Sequence, residues 1–137
     1  MKRVDIMFPV YYGNLHEIQP CVDAVIPAFT RSLAEYDWHI IFAVNGKNPG
    51  EVITLVKKIH ETHPNVWYDY AERPGKGSGI IHSWSASPAD IIAYMDVDLS
   101  TDIGNFPDLV KGVENGYDLC IGSRYHPGSD VQRSLKR

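Results

Sequence analysis

Asp96 and Asp98 stand one residue apart at the end of an apolar run, IIAYM (91–95), with Ser100, Thr101 and Asp102 close behind. In extended backbone residues i and i+2 point the same way, so a strand ending here delivers both carboxylates to one side. So placed, they repel each other unless a cation lies between them and something anionic. Hard oxygen donors suit Mg²⁺ or Mn²⁺, ions that bind a diphosphate with only one or two protein carboxylates. The same letters also fit a solvated turn in which Ser100 or Asp102 caps a helix. A calcium loop of the EF-hand type is excluded, because its sixth and twelfth positions would be Thr101 and Pro107 instead of glycine and glutamate. A phosphatase whose first aspartate is the nucleophile fits poorly, since it needs this strand near the start and further lysine and acidic motifs well downstream.

Two other stretches carry cations among small residues. In RPGKGSG (73–79) the glycines free the backbone to approach a ligand, and Lys76 can meet phosphate as a point charge; a flexible turn opening a helix explains the same letters. It is neither a Walker A loop nor the dinucleotide fingerprint, whose spacings it lacks. Arg124, within GSRYHPGS (122–129), can fork two donors onto phosphate oxygens or make a surface ion pair. His60 and His63, in HETH, fall one residue short of the HExxH zinc spacing and read as solvated residues near a helix end. Trp38, Trp67 and Trp84 read as packing residues.

The elements that must position these groups follow from periodicity. Strand-like runs at 4–10, 38–45, 66–71, 90–96 and 118–123 alternate with helix candidates at 15–35, kinked or interrupted at Pro27, and at 49–63, 77–87 and 105–115. Several strands are apolar on consecutive residues, as expected when helices cover both sheet faces. The reading is α/β: a doubly wound, mostly parallel sheet whose ligands bind beyond the carboxyl ends of its strands. At 137 residues, 44% hydrophobic and 22% charged, the chain suits one soluble globular domain. Its formal charge of −4 excludes nucleic acid as a partner, apart from a late cluster at Arg124, Arg133, Lys136 and Arg137. Cys21 and Cys120 lack CxxC spacing and read as reduced core thiols. No apolar run reaches the roughly 20 residues of a membrane span, and MKRVDIMF enters a strand pattern too early for a signal peptide, so the expected location is cytoplasmic.

Taken in order, FPVYYGN, AVNG, ERPGKGSGI, YMDVDLSTD and GYDLCIGSRYHPGS running to RSLKR resemble family 2 glycosyltransferases of the GT-A fold, in the branch of dolichol-phosphate mannose synthase and other polyprenyl-phosphate glycosyltransferases. The resemblance covers essentially the whole chain. It implies a nucleoside diphosphate sugar donor, UDP- or GDP-linked, with its base near Pro9, Tyr11 and Asn45, its ribose on Asp96, and its diphosphate on Lys76 and on Mg²⁺ or Mn²⁺ held by Asp96 and Asp98. Arg124 and Arg137 match arginines that face the diphosphate and the acceptor phosphate, and with Asp98 they form the expected catalytic set. The implied acceptor is a polyprenyl phosphate, attacking with inversion; Asp102 would be the base if the acceptor were a sugar hydroxyl.

The chain departs from the family at three positions. Val44 and Asn45 stand where two aspartates are usual, and Gly13 stands where an acidic residue is usual, which leaves the base open. The family continues past Arg137 with acceptor-binding elements. The resemblance therefore implies one domain over 1–137, truncated on its acceptor side, with membrane association through the missing part at the cytoplasmic face and self-association over uncovered apolar surface. A nucleotide-sugar binding module without turnover is the alternative.

Overall fold

The computed structural model describes residues 1–123 and 125–128. Strands and helices alternate as β1 (Arg3–Val10), α1 (Leu15–Ser32), β2 (Asp37–Asn45), α2 (Gly50–Thr62), β3 (Val66–Ala71), α3 (Lys76–Ala86), β4 (Ile91–Tyr94) and α4 (Phe106–Glu114), with 3-10 turns at Tyr12–Asn14 and Ile103–Asn105. The strands form one parallel sheet in the order β3-β2-β1-β4. The doubly wound α/β architecture expected from the sequence is present.

Helices on both faces explain why β1 is buried from Val4 to Val10 without alternation. Val4, Ile6, Phe8 and Val10 join Ile40, Phe42 and Val44 in one core cluster with buried residues of α1, α2 and α4. The other face of β1 meets α3. There the carboxylate of Asp5, only 1% exposed, accepts from Arg3 Nε at 2.8 Å and from the Ser87 hydroxyl at 2.6 Å, which satisfies a charge that would otherwise be costly to bury.

The sheet forks where the site lies. β1 stays in register with β2 up to Val10↔Val44, but pairs with β4 only up to Met7↔Tyr94. Met95 N–H still donates to the Met7 carbonyl at 3.0 Å, so the odd-numbered residues of β1 turn their hydrogen-bonding groups toward β4. The next odd residue is Pro9, which has no N–H to offer. Proline therefore ends the ladder on the β4 side alone, and a crevice opens between the two strands. This is also the topological switch point, because the chain runs β1, β2, β3 in one direction and then crosses to β4.

Three sequence expectations are corrected. Residues 118–123 form no strand: Leu119 and Ile121 are 75% and 71% exposed, and Cys120 seats against Gly112 of α4 instead of along a sheet edge. A strand pattern makes a strand only beside a partner edge. α1 runs uninterrupted through Pro27 and ends at Ser32; its buried stripe of Ile18, Cys21, Val22, Val25 and Phe29 outweighs the hydrogen bonds its two prolines cannot donate. β4 stops at Tyr94, so Asp96 lies in the following turn and not in the strand. Among the described residues no helix is long and apolar enough to cross a membrane.

Candidate functional site

The carboxyl ends of all four strands surround one cleft of about 1130 Å³. β1 contributes Pro9 and Val10 with Tyr11 and Tyr12 beyond them, β2 contributes Asn45 to Lys47, the loop after β3 contributes Glu72 to Lys76, and the turn after β4 contributes Asp96 to Asp98. The volume lies just above the usual range for ligand sites and suits a ligand with several linked groups. The structure thus brings Pro9, Tyr11, Asn45, Lys76, Asp96 and Asp98 to one place. Arg124 and Arg137 lie outside the described residues.

Met95 and Val97 are each 6% exposed and anchor the turn, while Asp96 and Asp98 project on the opposite, open side. The i, i+2 arrangement survives although the strand has ended. Leu99 closes the turn by donating to the Asp96 carbonyl at 3.1 Å, and adopts a φ of 54° to do so. Asp98 Oδ1 accepts from the Ser100 N–H at 3.0 Å, and Asp96 Oδ1 is ion-paired with the ammonium of Lys76. One oxygen of each carboxylate remains for a ligand. Two hard oxygen donors on one turn fit an octahedral ion whose other positions are filled by water and phosphate. Among the described residues, no group of three or more acidic, histidine or cysteine side chains is arranged to hold a metal by itself.

Asn45 is 6% exposed, and both ends of its amide are engaged: Nδ2 donates to the Val10 carbonyl at 3.1 Å, and Oδ1 accepts from Gly75 N–H at 3.0 Å. It is a strut beneath the cleft. Gly75 has a φ of 116°, which glycine tolerates without penalty, and this carries the loop from β3 into α3. Tyr11 and Tyr12 meet edge to face, their ring centroids 5.4 Å apart, and are 48% and 58% exposed. A Cβ on Gly13 would come within 2.5 Å of the Tyr11 ring. Gly13 is thus the space into which Tyr11 folds, and an acidic side chain there would expel the ring.

Asp102 spends its carboxylate on the 3-10 turn, accepting from Gly104 N–H at 2.8 Å and Asn105 Nδ2 at 3.3 Å. His60 is not simply solvated: its Nδ1 lies 2.8 Å from the Val66 carbonyl and its ring packs on Trp67. Trp38 packs on Phe29, and Trp84 donates from Nε1 to the Ala93 carbonyl at 3.3 Å, as packing residues should. Lys47 and Arg73 also line the cleft; they flank AVNG and PGKG, and nothing in their own spacing marks them as site residues. The Tyr94 ring centroid lies 5.5 Å from the Lys76 ammonium.

A dolichol-phosphate mannosyltransferase of Pyrococcus furiosus is 24% identical over 132 residues, which is 95% of this chain and 35% of that protein. An undecaprenyl-phosphate 4-deoxy-4-formamido-L-arabinose transferase of Photorhabdus laumondii is 25% identical over 126 residues, 90% of this chain and 37% of the relative. An uncharacterised glycosyltransferase of Mycobacterium tuberculosis is 32% identical over 111 residues, 81% of this chain and 44% of the relative. The chain thus spans between about a third and less than half of these relatives. The sequence profile of Glycosyl transferase family 2 matches residues 5–137, which takes in β2, β3, β4, all but the first two residues of β1 and every edge of the cleft. With the parallel sheet and its switch-point cleft already established, that match assigns the chain to glycosyl transferase family 2.

Proposed function

We propose that this domain binds a nucleoside diphosphate sugar, with Mg²⁺ or Mn²⁺, and transfers the sugar to a polyprenyl phosphate with inversion. The observation that carries the reading is the turn bearing Asp96 and Asp98 on the rim of a switch-point cleft, facing the glycine-rich loop of Lys76. The polyprenyl acceptor is supported by the names of two relatives, which act with dolichol phosphate and undecaprenyl phosphate.

Tyr11 and Pro9 offer apolar and aromatic surface to the base, and Asp96 accepts from the ribose hydroxyls. Asp98 and Asp96 are the residues that would hold the divalent ion, which when bound supplies positive charge to the leaving diphosphate. Lys76, with Arg124 and Arg137 by resemblance, adds cationic donors to the same phosphates. An acceptor phosphate oxygen attacks the anomeric carbon, a new C–O bond forms on the opposite face, and the old C–O bond breaks with its electron pair leaving on the nucleoside diphosphate. A phosphate monoester, with a second pKa of about 6, is already largely dianionic at neutral pH and needs no general base. That accords with Asp102 being spent as a cap, and it weighs against a sugar hydroxyl as acceptor.

Donor binding without turnover is a second reading, favoured by Tyr117, Leu119 and Ile121, whose exposed side chains follow α4 without building a further wall to the cleft. Thermal shift with a panel of UDP- and GDP-sugars, each with Mg²⁺ or Mn²⁺, tests the donor. Transfer of radiolabelled sugar to polyprenyl phosphate tests the reaction. A metal-dependent shift with transfer supports the first reading, a shift without transfer supports the second, and no shift with any donor overturns both.

A further inference from the structure

Lys76 is the first residue of α3, and its ammonium is ion-paired with Asp96 Oδ1 while lying 5.5 Å from the Tyr94 ring centroid. Among the described residues it is the one cation paired with either carboxylate of the turn. Asp96 is therefore already neutralised. The carboxylate left without a cation is Asp98, one of whose oxygens takes the Ser100 N–H, and no third acidic, histidine or cysteine side chain completes a group among the described residues. Without a diphosphate to supply further oxygens, a single carboxylate is a poor site for Mg²⁺ or Mn²⁺. An ammonium within hydrogen-bond reach of Asp96 and a divalent ion on the same carboxylate repel each other, so each weakens the other's hold on it.

We propose that Lys76 is a stand-in cation: it holds Asp96 in the free protein, and the divalent ion enters only as the diphosphate of the ligand draws the ammonium away. This rests on the metal-binding reading of Asp96 and Asp98. Lys76 is placed to move. Its side chain is 52% exposed, and a Cβ on the adjoining Gly77 would have no atom within 4 Å, so the start of α3 is open around it. A diphosphate supplies both halves of the exchange, an anion for Lys76 and oxygens for the ion. Metal and nucleotide should then bind with positive coupling, and each must raise the affinity of the other by the same factor. Lys76 would also bias the domain against holding a divalent ion when no donor is present.

The test is Mn²⁺ binding to the free chain, followed by electron paramagnetic resonance, for the wild type, Lys76→Met and Lys58→Met. The last variant, on α2, controls for net charge. Lys76→Met should bind Mn²⁺ about tenfold more tightly than the wild type, with Lys58→Met unchanged. Adding UDP or GDP should then strengthen Mn²⁺ binding about tenfold in the wild type and far less in Lys76→Met. Lys76→Gln, checked with the others by circular dichroism melting, should repeat the result. If nucleotide brings Mn²⁺ to both proteins but the affinities for Mn²⁺ alone agree within about twofold, the stand-in role is wrong and the metal site stands. Equal gains in Lys76→Met and Lys58→Met also overturn the stand-in role. If neither protein takes Mn²⁺ with or without nucleotide, both readings fall.

Discussion

Gly75 donates its backbone N–H to Asn45 Oδ1 at 3.0 Å, and the same Asn45 amide donates from Nδ2 to the Val10 carbonyl at 3.1 Å. One buried side chain thereby ties the ends of β1 and β2 to the loop that leaves β3, and that loop carries Arg73 and Lys76 along the cleft. Asn45→Asp keeps an acceptor for Gly75 but sets an oxygen against the Val10 carbonyl. It should cost about 1–3 kcal/mol in urea unfolding, the penalty for a buried polar group left without its partner. Nucleotide binding should weaken alongside, because the loop loses its fixed height. Unchanged stability would show that the strut is dispensable.

Asp98→Ala removes one of two carboxylates on the turn and should abolish the metal-dependent part of donor binding, since so few protein ligands leave no redundancy. Titration calorimetry with and without Mg²⁺ measures it. A metal-dependent affinity equal to that of the wild type would rule out Asp98 as a ligand.

The sequence made the cleft legible because a parallel doubly wound sheet gathers the carboxyl ends of its strands, so motifs read singly at Pro9, Asn45, Lys76 and Asp96 had to converge. What it left hidden was pairing across distance. Lys76 and Asp96 each have a motif of their own, yet nothing local says that they neutralise one another. Asn45 reads as a free amide until Val10 and Gly75 are seen on either side of it. The pattern at 118–123 reads as a strand, but strand formation depends on a neighbouring edge that the pattern itself does not encode.

Tyr36 donates its hydroxyl to the Glu114 carboxylate, joining the turn after α1 to the end of α4. That hydrogen bond, helped by burial, pushes the Tyr36 phenol up to about 12 from an ordinary 10.0. The folded state therefore holds this proton more tightly than the unfolded chain does. The stabilisation is fully present below pH 10 and is lost as pH rises through 12. Tyr36→Phe should cost about 1–3 kcal/mol at neutral pH, and the difference from the wild type should shrink on the alkaline side. Urea unfolding of both proteins across that range measures it; a difference independent of pH would show that the hydroxyl does not titrate with folding.

Gly112 and Cys120 make the last prediction. Gly112 lies inside α4, where alanine would ordinarily favour the helix by about 1 kcal/mol. Here an added Cβ would lie 2.5 Å from Cys120 Sγ and 3.7 Å from its Cβ. The sulfur must move, so Gly112→Ala should lift the segment after α4 off the helix and forfeit the gain. Cys120→Ala removes the sulfur and leaves a Cβ at a tolerable distance, so the double variant should recover stability. The two changes should couple by about 1 kcal/mol in a double-mutant cycle. Labelling with a thiol reagent gives an independent readout. Burial pushes the Cys21 thiol up to about 12, which leaves it inert at pH values near 8, so labelling reports on half-buried Cys120. Gly112→Ala should label faster than the wild type. Additive stabilities together with unchanged labelling would show that Cys120 does not rest on α4, and would free residues 118–123 to pair elsewhere.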